Sequence, residues 1–337
     1  MFVPPFMLAR QIMSLHWRSH GRAGWNIVTA LDGNENFGLP AMPSSEERYA
    51  RAAEYTEVVR LLWQSFPEES LKRNRESGCY ADPSQIRPLN HTGSQFSIKG
   101  PLNLPAFGRA PIPLVQAGAS EVGRNFASSI ADAIFAATPD VEAATDLRRD
   151  LRQRAEGHGR RADDIRLLPG LSLYLAPTRK EAEELLAFTH ARGDRNRKFA
   201  HILKLTGLDL ADWPEDRRIT AADLPSELPA GASKTHAELL RRVIVREEPL
   251  LPDLLGRPEV IGSGHWQIVG TVDDAVQEIS AWADAGAGAI DGFITTPGGS
   301  SGSMALALEA LMPRLSDAEL LREDYAGSTC AEHFREK

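Results

Sequence analysis

Short, almost unbroken apolar runs alternate with amphipathic segments along this chain, and that alternation limits the possible folds most. The runs are Gly24–Ala30, Ile112–Gly118, Asp132–Thr138, Arg166–Ala176 and Ala289–Thr296. None shows a clean polar–apolar alternation, so each reads as a strand buried on both faces, the habit of parallel sheets. Helices separate them. Ser44–Phe66 opens with a capping box, Ser44 and Glu47, and carries Tyr49, Ala52, Ala53, Val59, Leu62, Trp63 and Phe66 as one apolar stripe. Val141–His158 and Thr178–Arg192 are two more. Thr271–Ala285 is a fourth, with Thr271 as its cap, Asp273 and Asp274 in its first turn and Gly286 beyond its end. The pattern predicts an α/β fold with a parallel sheet. Two excursions interrupt it, Gln64–Ala110 and Arg192–His265, the second mixing loops with a helix near His236–Arg246. Long insertions between regular elements often handle substrates. A closed (β/α)8 barrel needs eight strands. Five are visible, so either the sheet is open or the front of a barrel is absent.

Composition excludes several classes. The 337 residues carry a net charge of -8, which argues against a nucleic-acid partner. No apolar run approaches the roughly 20 residues that span a membrane. The opening MFVPPFMLARQIM is too short and too broken by Pro4 and Pro5 for a signal peptide. Cys79 and Cys330 make neither a disulfide framework nor a thiol cluster for zinc, and a soluble cytoplasmic protein is expected. The nine histidines show no HExxH-like spacing, and there is no GxSxG nucleophile elbow, so neither a metal centre nor a hydrolase is indicated.

What remains are turns able to hold an anion. In LVQAGASEVG, Leu114–Gly123, a strand ends at Gly118 and Ala119, and a helix opens at Ser120. Such an opening leaves backbone N–H groups unpaired, and small residues let an anion approach them. Ser120 either caps its own helix or helps to bind that anion. TTPGGSSGS, Thr295–Ser303, is either a second phosphate loop or a flexible connection. Tyr49 lies one turn into a capped helix, either in the core or with its phenol reaching an anion near the helix start. Asn26 and Thr29 are polar positions at the C-terminal part of the first strand, lining a pocket or bonding neighbouring backbone.

Taken together, GRAGWNIVTA, NFG (Asn36–Gly38) and EERYARAAEYTEVVRLLW resemble the bacterial luciferase-like flavin monooxygenases. The group in question contains nitrilotriacetate, EDTA and dibenzothiophene-sulfone monooxygenases and pristinamycin synthase. The likeness continues through Gly78–Asn103, IPLVQAGASEVGRNFASSIADAIFAAT, LLPGLSLYLAPTRKEAEEL, GHWQIVGTVDDAVQEISAWADAGAGAIDGF and LLREDYAGSTC. It implies a (β/α)8 barrel with FMN at the C-terminal strand ends. It also implies reduced FMN from a separate NAD(P)H:flavin reductase, O2 as oxidant, a small organic substrate and a homo-oligomer. By position, Ser120 matches a serine at the FMN phosphate, with Ala119 beside it. Tyr49 matches the tyrosine of an HxxxY element, and Asn26 and Thr29 match the NxVT strand. Catalytic residues are not identified. The chain departs from the pattern at Ser45 (histidine in the family), at Ala30 (serine) and over Ser14–Arg22, where SLDHLSGGR is usual. Its start falls in the family's third helix, near PPFMLARQIMSL, so residues 1–337 would form one partial barrel lacking three strands and two helices. Insertions would fall at about 64–110 and 192–265. A truncated, non-catalytic paralogue or partner subunit, and a deazaflavin-dependent oxidoreductase, are the competing expectations.

Overall fold

The structure is a computed structural model, and it describes residues 2–30, 33–108, 110–118, 120–190, 193–229, 232–261, 264–285, 288–296 and 298–335. The backbone groups into two units. One comprises Met1–Ala117, Asn125–Ala133 and Asp324–Lys337, the other Gly118–Arg124 and Ile134–Glu323.

In the first unit, α1 (Pro5–Arg18) starts on a proline and buries Ala9, Met13 and His16. The first strand, β1, is only Trp25–Ile27. It ends before Val28 and Thr29, and the expected last residue, Ala30, sits at a left-handed φ of 45° that no strand accommodates. Helix α2 (Ser45–Gln64) has the anticipated capping box: Ser44 Oγ accepts from Glu47 N–H at 3.2 Å, and Ser44 N–H donates to Glu47 at 2.8 Å. Its buried side includes Tyr49, Ala52, Val59, Leu62 and Trp63, as expected, but Tyr55, Thr56 and Val58 replace exposed Ala53. The first excursion holds two antiparallel hairpins, β2 (Leu71–Asn74) with β3 (Cys79–Ala81) and β4 (His91–Thr92) with β5 (Ser97–Ile98). Glu54 of α2 pins the second. It accepts from His91 Nε2 (3.1 Å), Ser94 Oγ (2.8 Å) and the N–H groups of Gln95 and Phe96 (2.9 Å each).

Strand β6 (Leu114–Ala117) pairs in parallel with β1, Trp25 opposite Leu114 and Ile27 opposite Gln116. Trp25, Ile27, Leu114 and Gln116 are buried, and the Trp25 ring packs on Tyr55 and Trp63 of α2. On the other face Asn26 is exposed, Val28 is 52% exposed, and Val115 is half-buried. The expectation of strands buried on both faces therefore fails here: helix covers one face only. A short helix, Cys330–Arg335, ends this unit.

Helix α3 (Glu121–Ile130) begins in the second unit and ends in the first, while β7 (Ala133–Ala136) runs the other way. Then follow α4 (Val141–Gly157), β8 (Arg166–Leu175), α5 (Arg179–His190), α6 (Arg195–Thr206), α7 (Lys234–Glu247), α8 (Leu251–Leu255) and α9 (Pro258–Ile261). After these come β9 (Trp266–Gly270), α10 (Val272–Asp284), β10 (Ile294–Thr296), α11 (Ser301–Leu306), a π-helical turn (Ala307–Leu311) and α12 (Met312–Asp317). Strand β8 lies beside β7 and pairs in parallel with both β9 and β10. The second excursion is more ordered than its loop-rich sequence implies. Four helices, α6 to α9, share a core that includes Ile202, Leu205, Leu240, Ile244 and Leu254.

Strand β9 pairs in parallel with β8, and the sequence pattern missed it because its five residues abut the helix that was recognised. It is anchored by Trp266, whose ring stacks on Trp282 at 3.8 Å and whose Nε1–H donates to Glu278 at 2.6 Å. Strand β10 is shorter than the expected Ala289–Thr296. Asp291 is drawn out of line to accept from Arg148 Nε and Nη2 (3.1 and 2.7 Å) and from Leu167 N–H (2.8 Å). Gly286, read as a helix stop, lies outside the described residues.

Candidate functional site

The turn after β6 has the geometry expected of it. Gly118 is exposed, at a φ of 107° that suits glycine, and its N–H donates to Phe135 O at 3.2 Å. Half-buried Ser120 precedes α3, and its Oγ accepts from Gly123 N–H at 3.3 Å. That is a cap, the first of the two roles its position offers. It leaves the site open, however. The N–H groups of Glu121 and Val122 have no acceptor among the described residues, as expected for a first helical turn. Local charge is balanced: Glu121 meets Arg124 at 3.1 Å and Arg154 at 2.9 Å, and Arg124 meets Asp150 at 3.2 Å. Two free N–H groups, a serine hydroxyl and an exposed glycine fit a phosphomonoester such as that of FMN. Ala119 lies outside the described residues.

The other expected contacts belong to the first unit. Tyr49 is 8% exposed, packs against Phe126 at 5.7 Å, and its hydroxyl accepts from Gln116 Nε2 at 3.3 Å. It has the surroundings of a core tyrosine. Asn26 is exposed on β1, and half-buried Thr29 lies beyond the strand end. The departing segment Ser14–Arg22 builds an aromatic cluster: His16 is fully buried, and the rings of His16 and Trp17 meet Phe107 edge-on at 5.5 and 4.9 Å. Burial holds His16 below the ordinary histidine pKa. Beside it Ser14, Trp17, Arg18, His20 and Leu104 line an open basin of about 420 Å³, which includes none of the expected site residues.

The second glycine-rich turn is no flexible connection. A Cβ on Gly298 would meet Leu173 O at 2.6 Å, and one on Gly299 would meet Leu185 Cδ2 at 2.6 Å. Ser300 caps α11, while buried Ser303 donates to Leu173 O (2.8 Å) and accepts from Leu175 N–H (2.9 Å). The turn is sewn onto β8; Pro297 within it lies outside the described residues.

The second unit also brings together polar groups whose pairing the sequence did not show. Ser172 Oγ and Thr296 Oγ1 are 2.6 Å apart, joining β8 to β10. His265, just ahead of β9, tilts against Phe135 at 5.2 Å. Ser172 carried no signal beyond its place in an apolar run, and Thr296 was read only as part of the Thr295–Ser303 turn. His265 was hidden by the unrecognised strand behind it. Among the described residues no group of three or more His, Cys, Asp or Glu is placed to hold a metal ion, and no helix is long and apolar enough to cross a membrane.

Comparison with known proteins agrees with this α/β frame. The sequence model of the luciferase-like monooxygenase family matches residues 1–288. N-acetyl-S-(2-succino)cysteine monooxygenase of Bacillus subtilis is 31% identical over 98% of this chain and 74% of its own length. Nitrilotriacetate monooxygenase component A of Aminobacter aminovorans is 31% identical over 98% of this chain and 72% of its own. Among solved structures, a riboflavin lyase with modified FMN and riboflavin superposes with a TM-score of 0.81 at 29% identity, covering 98% of this chain and 71% of that one.

Proposed function

Because the chain belongs to the luciferase-like monooxygenase family, we propose that it uses reduced FMN and O2 to oxygenate a small organic substrate, with a separate NAD(P)H:flavin reductase supplying the reduced FMN. Membership makes it a flavin-dependent monooxygenase in general terms. A relative named as component A of its system supports the two-component arrangement. The parallel pairing of β8 with β9 and β10 supports reading the strands as part of a (β/α)8 plan. Relatives about 30% identical are named as monooxygenases, which favours FMN over a deazaflavin.

The observation that carries the proposal is the open turn at Ser120, with its free N–H groups, in a chain that the family matches from residue 1 to 288. In this reading Ser120, the N–H groups of Glu121 and Val122, and the small residues Gly118 and Ala119 hold the FMN phosphate. Hydrogen bonds to an ionised group are stronger than neutral ones, so this end contributes most of the anchoring. The resemblance also names Tyr49, Asn26 and Thr29 as flavin contacts; all three belong to the first unit, where Tyr49 has the surroundings of a core residue. When bound, reduced FMN supplies the electrons that activate O2; the protein orients it and excludes water.

Titration of the protein with FMN and with chemically reduced FMN under anaerobic conditions tests the proposal, followed by exposure to O2 with candidate substrates. Saturable binding that inorganic phosphate weakens is expected. A protein that binds neither form of the flavin does not have this function.

A further inference from the structure

His265 is linked to the Ser120 turn through one residue of the same unit. Gly118 N–H bonds Phe135 O at 3.2 Å, and the rings of Phe135 and His265 are 5.2 Å apart, so one residue links the turn to the imidazole. The imidazole fills the room that Gly170 leaves empty: a Cβ there would lie 2.5 Å from His265 Nδ1. Trp266, the next residue, points into the packing against Trp282, and side chains alternate along a strand, so His265 faces the opposite way.

The two ring nitrogens differ. Nδ1 is buried against the strand with no hydrogen-bond partner among the described residues. A buried N–H without an acceptor is rarer and costlier than a lone pair left bare. The neutral ring therefore keeps its proton on Nε2, which has no partner among the described residues. Burial first, and then the neighbouring His236, hold His265 below the ordinary histidine pKa and so keep it uncharged. His236 is itself fixed, its Nδ1 lying 2.7 Å from Ser233 Oγ.

We propose that His265 is part of the flavin site anchored at Ser120, where its neutral Nε2–H donates a hydrogen bond to an oxygen of bound FMN. This rests on the proposed function. No assigned contact of the Ser120 turn includes it, and its chemistry is that of a donor, neither a base nor a cation. The oxygen belongs either to the phosphate or to the ribityl–ring portion, and riboflavin, which lacks the phosphate, tells the two apart.

The test is nitrogen NMR of protein labelled with 15N-histidine, with the His265 signals assigned from their loss in His265→Gln, joined to flavin titrations. Without ligand near pH 7, His265 is expected as the neutral Nε2–H form. Its Nε2 signal moves on adding FMN. If riboflavin moves it too, the acceptor lies outside the phosphate; if only FMN does, the acceptor is the phosphate. His265→Phe keeps the ring against Phe135 but lacks the donor, and its FMN affinity falls about tenfold. His265→Gln, with an amide donor, recovers part of that loss. A proton on Nδ1 in the free protein overturns the inference whatever the flavin does. So does an Nε2 signal that ignores FMN while the protein binds it. If the wild-type protein binds no FMN, the proposed function fails and this inference with it.

Discussion

The two glycine–serine turns look alike in sequence and differ in what surrounds them. Each follows a parallel strand and leads into a helix capped by serine, Ser120 in one and Ser300 in the other. At the first, Gly118 is exposed and two backbone N–H groups have no acceptor among the described residues. At the second, Gly298 and Gly299 are pressed onto Leu173 and Leu185, and Ser303 is bonded twice to β8. A helix start accepts a ligand only where neighbouring chain has not already taken its room. The first turn is suited to binding and the second to holding β8 and α11 together.

Substitutions should separate the two turns. The largest effect is expected from Gly298→Ala, because the added carbon would lie 2.6 Å from a backbone oxygen that cannot swing aside. Overpacking of this kind costs about 2–3 kcal/mol, measured as a lower denaturant midpoint. Wild-type stability in that variant would mean that the turn is loose after all. Ser303→Ala comes next. It leaves the Leu175 N–H buried without its acceptor, at about 2 kcal/mol, again with no direct change in flavin affinity. Ser120→Ala should behave in the opposite sense, losing about 1 kcal/mol of FMN binding along with a similar helix-capping contribution. If stability falls while FMN affinity stays put, Ser120 is a cap alone and the contrast between the turns collapses.

The smallest effect lies away from both turns and serves as their control. Burial alone would raise the Glu54 pKa. Hydrogen bonds from His91, Ser94 and the backbone of Gln95 and Phe96 outweigh it and bring the value down to about 2. A depressed carboxylate pKa stabilises the fold above its unfolded value, near 4.5, and that contribution disappears as pH falls toward 2. Acid titration should therefore destabilise the wild type more steeply across that window than Glu54→Gln. Parallel curves would remove Glu54 as the clasp of the β4–β5 hairpin.

The α/β class, the helix starts at Ser44, Ser120 and Thr271, and most strand positions were legible because capping and apolar runs are local. β9 was not, since five residues beside a stronger helix signal give too little pattern. Nor were the four helices of the second excursion, where only the one near His236 had been recognised. The strand ends were misjudged at Ala30 and at Asp291 for physical reasons: a left-handed backbone at one, a carboxylate drawn to Arg148 at the other.

The candidate site divides in the same way. Sequence by itself determined the strand–turn–helix at Ser120, and the order of residues that carries the family resemblance. Both depend on neighbours along the chain. Only the tertiary structure decided that Tyr49 bonds Gln116 in a packed core, that Gly298 has no room to spare, and that His265 faces Gly170 with one nitrogen unpaired among the described residues. Each of those outcomes depends on atoms brought together from distant parts of the chain, and close packing leaves little freedom once they meet.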